Sequence, residues 1–252
     1  MSSSSLYLKQ GKIFKVTDKE KLDIHESLPA STYTVGFNPC AMEFYLEKIE
    51  PFSIKGKLYG DTNRLADRIL RTFHHREGST GVVLAGEKGS GKTLLAKRLS
   101  ILAAEQENIP TLVINEPHCG EDFNQFLQMI TQPTIVVFDE FEKVYNEEHQ
   151  KTKMLTLLDG VYPSKKLFIM TCNDKWMLDQ HLQNRPGRVF YMIDYTGLDD
   201  AFITEYCEDN LSAKEHIPTI CSIARVFNAF NFDMLKDRKS TRLNSSHTVI
   251  SY

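Results

Sequence analysis

The sequence predicts an α/β fold, with a five-stranded parallel sheet sandwiched by helices, a small β-rich N-terminal element and a small C-terminal helical lid. Three observations carry this reading. Short, almost purely apolar runs recur at Val82–Ala85, Thr111–Asn115, Thr134–Phe138, Leu167–Thr171 and Val189–Ile193. Amphipathic segments of helical period lie between them, as a parallel sheet covered on both faces requires. After Asp194 the pattern is helical only. The expected units are residues 1–57 (β-rich), 58–194 (the α/β core), 195–236 (a partial lid) and 237–252.

Taken in order, residues 1–25 are polar and weakly patterned. From Ser31 to Ile54 short strands are expected, since Tyr33 and Val35 alternate with polar neighbours and Asn38-Pro39 marks a turn. Leu65, Ile69, Leu70 and Phe73 share one face of a helix that Asp61 or Thr62 can cap. Further helices fit Thr93–Gln106, Glu121–Ile130, with Phe123, Phe126, Leu127 and Ile130 inward, and His149–Leu158. No internal repeat is present.

The last sixteen residues are set aside. Asp237 to His247, followed by Ile250-Ser251-Tyr252, resembles the translation of a common sequencing adapter, so the authentic chain is expected to run on differently after Lys236. Removing its one acid and three bases takes the formal net charge from −3 to −5. That balance gives no broad nucleic-acid footprint, and nucleic-acid binding stays open. Hydrophobic content of 41% and charged content of 25% are those of a soluble globular protein. No apolar run reaches membrane-spanning length and no signal-type core follows Met1, so a soluble cytoplasmic protein without membrane contact is expected. The five cysteines show no C-x-x-C spacing, consistent with reduced, buried thiols.

Four motifs carry the chemistry. The first is Gly86-Glu87-Lys88-Gly89-Ser90-Gly91-Lys92-Thr93, the pattern G-x-x-x-x-G-K-[ST], placed between a strand and a helix opening at Leu94. Its glycines let backbone N–H groups converge on one point, and the helix start adds its positive dipole end. Lys92 can reach the β- and γ-phosphates of a nucleoside triphosphate, and the Thr93 hydroxyl can ligate Mg²⁺. The second is Ile135-Val136-Val137-Phe138-Asp139-Glu140, a buried strand that delivers two carboxylates. Asp139 would hold Mg²⁺ through water, and Glu140 would orient and polarise the attacking water. The third is a strand ending in Asn173, which can hydrogen-bond the γ-phosphate or that water. The fourth, Asn184-Arg185-Pro186-Gly187-Arg188, presents two guanidiniums in a tight turn and can serve as an arginine finger.

Together these motifs resemble the AAA-type ATPase family, in its protein-remodelling branch, from about Tyr59 to Lys236. Gly86–Thr93 and Phe138-Asp139-Glu140 match its Walker A and B motifs, Leu157-Leu158-Asp159-Gly160 its helix end, Asn173 its first sensor and Arg185-Pro186-Gly187-Arg188 its arginine-finger box. The resemblance implies ATP and Mg²⁺ as cofactors, adenine cradled by backbone at Tyr59-Gly60, and contacts from Gly86 through Leu94. It implies a ring of identical subunits, most plausibly hexameric, that hydrolyses ATP to remodel a protein or nucleoprotein. A second sensor would fall near Phe232-Asp233-Met234. Lys88 stands where the family usually has proline, and Glu116–Gly120 lacks its aromatic pore motif. A small-molecule kinase, a non-hydrolysing switch and a replication-type helicase or clamp loader are the alternatives.

Overall fold

The computed structural model describes residues 5–10, 12–19, 22–158, 161–173, 189–227 and 229–240. Strands β1 (Ser5–Gln10) and β2 (Ile13–Asp18) form a separate hairpin. Then follow β3 (Thr32–Asn38), β4 (Glu43–Ile49), α1 (Thr62–His75), β5 (Thr80–Gly86), α2 (Lys92–Glu107), β6 (Thr111–Ile114), α3 (Glu121–Met129) and β7 (Thr134–Phe138). Next come α4 (Phe141–Val144), α5 (Glu148–Leu158), β8 (Lys166–Cys172) and β9 (Val189–Tyr195). The chain continues through α6 (Asp200–Asn210), a 3₁₀ turn (Lys214–His216), α7 (Ile217–Ala224) and α8 (Phe232–Ser240).

The central sheet has seven strands in the order β4-β3-β6-β7-β8-β5-β9. Its five expected strands are present and mutually parallel. The N-terminal strands extend this sheet instead of standing apart: Thr32–Thr34 pair in parallel with Thr111–Val113, and β4 returns antiparallel along β3. Residues 32–49 thus form two strands of the central sheet. The β1–β2 hairpin lies in the stretch that reads as polar and weakly patterned, within the expected β-rich element.

Side-chain alternation sorts the strands between two cores. Val82, Leu84, Ile135, Val137, Leu167 and Ile169 pack with α1 and α2 on one face. Val83, Ala85, Val136, Phe138, Phe168 and Met170 pack with α3, α4 and α5 on the other. Burial of each such side chain contributes about 1.5–3 kcal/mol, and burial on both faces is why these strands read as continuous apolar runs. A third cluster joins α6, α7, Phe230 and Leu235, and Tyr59 packs onto it. Asp61 stands at the N-cap of α1, but its carboxylate pairs with Arg64 rather than accepting a backbone N–H. Cys40 is exposed, Cys119 half-buried and the other three thiols buried, and none is joined in a disulfide.

Lys166, fully buried at the start of β8, pins the α3–β7 connection. Its ammonium donates to the carbonyls of Ile130 (2.6 Å) and Gln132 (2.9 Å) and to Ser164 Oγ (2.8 Å). Burial pushes its pKa down to about 8. Below that pH the amine is protonated in both folded and unfolded chains. Between about 8 and the unfolded value near 10.4 the unfolded chain binds more protons, so this group's contribution to stability rises with pH. Denaturant titrations at pH 8 and pH 9.5 should therefore show native stability gaining on Lys166→Met by on the order of 1 kcal/mol per pH unit. A constant difference between the two proteins across that window overturns the assignment.

Candidate functional site

The site forms where β5, β7 and β8 end side by side, as expected at the carboxyl edge of a parallel sheet. The loop Gly86–Gly91 leaves β5 and closes on α2. Gly86 has φ +142°, and a Cβ there would lie 2.6 Å from the Tyr195 carbonyl oxygen. Only glycine lets the loop pass the end of β9 so closely. Gly91, also left-handed, is the N-cap of α2, so the first α2 amides open towards the loop.

Lys92 is 8% exposed and folds back over the loop. Its ammonium donates to the carbonyls of Gly86 and Glu87 (2.9 Å) and to Asn173 Oδ1 (3.3 Å). Desolvation lowers its pKa, against the upward pull of Glu142, Asp139 and Glu140. The loop and the end of β8 thus meet through one cation.

Thr93 Oγ1 donates to Asp139 Oδ1 at 3.1 Å, across 46 residues of sequence. The same carboxylate oxygen accepts from Thr171 Oγ1 at 2.6 Å, and Thr171 Oγ1 in turn accepts the Glu140 N–H at 2.8 Å. Thr171 is a residue that sequence reading missed as part of the site. Its one clue was a hydroxyl at the end of an otherwise apolar strand. Thr93 and Asp139 provide adjacent hard oxygen donors, the chemistry that Mg²⁺ prefers.

Glu140 adopts a left-handed backbone (φ +51°) at the start of α4, an unusual state for a non-glycine residue. Its side chain is 46% exposed. Its carboxylate accepts from Lys143 Nζ at 2.5 Å, and that ion pair holds its pKa below the usual carboxylate range. Glu140 is therefore ionised, as a polarising base must be. Glu142, a second missed residue, accepts the Asn173 N–H at 3.0 Å and fixes the end of β8.

Tyr59 and Gly60 sit against the C-terminal helices. The Tyr59 ring meets Tyr206 and Phe202 with centroids 5.1 and 6.0 Å apart, and its hydroxyl accepts from Asn210 Nδ2 at 2.9 Å. The Gly60 N–H donates to Glu205 Oε2 at 3.1 Å. Lys57 bridges Glu205 (2.9 Å) and Asp209 (2.8 Å), so residues 57–60 are latched to α6. The backbone donor expected to face adenine is engaged by the lid.

The lid also touches the loop directly. The Phe232 N–H donates to the Gly89 carbonyl at 3.2 Å, and the Asp233 carboxylate lies 2.5 Å from where a Gly89 Cβ would be. The region expected to supply a second sensor thus reaches the loop, bearing a carboxylate. Arg185 and Arg188, with Asn184, Pro186 and Gly187, lie outside the described residues, as do Asp159 and Gly160. Among the described residues, no helix is long and apolar enough to cross a membrane.

The family model for the "ATPase family associated with various cellular activities (AAA)" matches residues 82–194, from β5 into β9. Among solved structures, the Aeropyrum pernix ORC1 protein in complex with DNA is similar, with a TM-score of 0.52 at 12% identity. That match covers 73% of this chain and 59% of the ORC1 chain. The Aeropyrum pernix ORC2 protein (ADPNP–ADP complexes) gives a TM-score of 0.48 at 15% identity, covering 77% of this chain and 72% of that one. At 12% identity the likeness to the ORC1 structure is one of fold, an α/β phosphate-loop architecture with a mostly parallel sheet. No curated protein matches the chain.

Proposed function

We propose that this chain binds ATP with Mg²⁺ and hydrolyses it, working as one subunit of a ring of identical chains, a hexamer by resemblance, that remodels a protein or nucleoprotein partner. The observation that carries the reading is the continuous polar chain Thr93–Asp139–Thr171–Glu140, which locks the phosphate loop to the strand that presents the base. The α2 amides and Lys92 receive the β- and γ-phosphates, since a phosphate oxygen is a stronger acceptor than the loop carbonyls Lys92 now holds. Thr93 and Asp139 would hold Mg²⁺, which supplies charge neutralisation between the phosphates. Asn173 bonds the γ-phosphate or the water in this reading, which its contacts with Glu142 and Lys92 support. Glu140 orients and polarises that water.

Lys92→Ala tests the core of this reading. The variant should bind ATP about 10- to 100-fold more weakly in isothermal titration, the loss of one charge-assisted contact. Its thermal melt serves as the folding control, because Lys92 also ties down the loop. Native affinity in a folded variant excludes the phosphate-loop assignment.

A second reading, a replication-type loader acting on DNA, draws support from the fold shared with the ORC1 protein, which was solved in complex with DNA. ATP-dependent retention of duplex DNA by the full chain would favour it over a protein substrate.

A further inference from the structure

The β1–β2 hairpin is built like the interior of a sheet yet forms a sheet of only two strands. Tyr7 faces Val16 and Lys9 faces Phe14 across the ladder, which puts Tyr7, Phe14 and Val16 on one face. Tyr7 is 67% exposed, Phe14 59% and Val16 67%. The opposite face carries Leu8 and Ile13, also exposed. A lone two-stranded hairpin is marginal in water, and strands apolar on both faces are those buried on both faces. A ligand lying along one face, such as a nucleic-acid strand, would leave the other bare.

The complementary surface is β4. It is the terminal strand of the seven-stranded sheet, and among the described residues no strand pairs with its outer edge. Such an edge is a template for another strand. At seven residues it matches the six-residue strands of the hairpin. It exposes Tyr45, and its segment carries Glu43, Glu47 and Glu50 against Lys48. The hairpin carries Lys9, Lys12 and Lys15 against Asp18, the opposite balance.

We propose that the β1–β2 hairpin of one chain pairs with the outer edge of β4 in a second copy of the chain. Backbone hydrogen bonds would extend the sheet beyond β4, the hairpin's apolar side chains would continue the row of Phe44 and Leu46 on one face and meet Tyr45 on the other, and the lysines would meet the glutamates. Hairpin and edge are different surfaces, so the contact is heterologous and propagates head to tail, closing into a ring where the rotation permits. The inference goes beyond the nucleotide-site reading and does not depend on it.

The test uses full-length chains in a Cys40→Ser/Cys119→Ser background. Chains carrying Tyr7→Cys are mixed with chains carrying Glu47→Cys and treated with a short bis-maleimide cross-linker. A covalent heterodimer is expected. Its absence overturns the proposal, as does a chain carrying both cysteines that cross-links within itself at high dilution. Independently, Lys9→Glu/Lys15→Glu should weaken self-association about tenfold or more in sedimentation. Mixing with Glu47→Lys/Glu50→Lys chains should restore it. If the lysine variant associates normally but loses binding to a labelled oligothymidylate, the hairpin is a nucleic-acid arm and the proposal fails. ATP binding should remain native throughout, which separates this outcome from failure of the nucleotide site.

Discussion

The Arg185→Ala/Arg188→Ala chain should assemble normally, bind ATP normally and hydrolyse it about 10³- to 10⁵-fold more slowly than the native protein. The argument begins from charge. The cations that act on Glu140 are Lys143, Lys88 and Lys92. Lys88 and Lys92 belong to the loop and its helix, and Lys143 pairs with Glu140 itself. All three belong to the phosphate loop, its helix or α4 of the same chain as Glu140. Charge that develops on the γ-phosphate during hydrolysis needs a further cationic donor, and we propose that Arg185 and Arg188, which lie outside the described residues, supply it. From the resemblance to AAA-type ATPases we propose that Arg185 and Arg188 act on the site of the neighbouring subunit.

Shared catalysis has a distinctive signature. Lys92→Ala chains and Arg185→Ala/Arg188→Ala chains are each expected to be inactive alone. In mixed rings, some interfaces pair an intact loop with an intact arginine pair, so part of the activity should return. Specific activity of the native chain should also rise with concentration. If mixed rings form, confirmed by differently tagged subunits, and no activity reappears, the arginines do not act across the interface. If the double arginine variant hydrolyses at the native rate, the pair is a surface feature.

Glu140→Gln carries the second large effect. Turnover should fall on the order of 10²-fold or more, with ATP affinity unchanged. Glutamine preserves the shape, and the backbone N–H bond to Thr171 is untouched, so the left-handed turn persists. What is lost is the negative charge that polarises water, a charge the Lys143 ion pair keeps in place. Phosphate release under single-turnover conditions, alongside isothermal titration with ATP, separates the two quantities. Native turnover in this variant removes Glu140 from the mechanism. A parallel loss of affinity would instead mean that the side chain supports the loop.

The parts of the molecule legible in the sequence are those whose physics is local. The Gly86–Thr93 loop is eight consecutive residues, and its backbone states follow from where the glycines fall. The strands β5 to β8 are legible because burial on both faces leaves few polar positions, β9 because it is a short aromatic and apolar run, and α1 to α3 because one apolar stripe repeats at helical period. β3 reads as a strand, but its membership in the central sheet rests on pairing with residues some 80 positions away, which no local pattern records. β1 and β2 were missed because their apolar residues fall on both faces and so break the alternation that marks a half-buried strand.

The same division runs through the site. Sequence alone identified Lys92, Thr93, Asp139, Glu140 and Asn173, because each residue type stands in a motif at the end of a recognisable strand or helix. Tertiary structure alone decided that Thr171 bridges Asp139 to the Glu140 backbone, that Glu142 holds Asn173, and that Glu205 claims the Gly60 N–H. These are hydrogen bonds between elements distant in sequence. Their partners are fixed by which strand ends lie side by side, and that order follows from packing two cores against one sheet, a property of the folded chain as a whole.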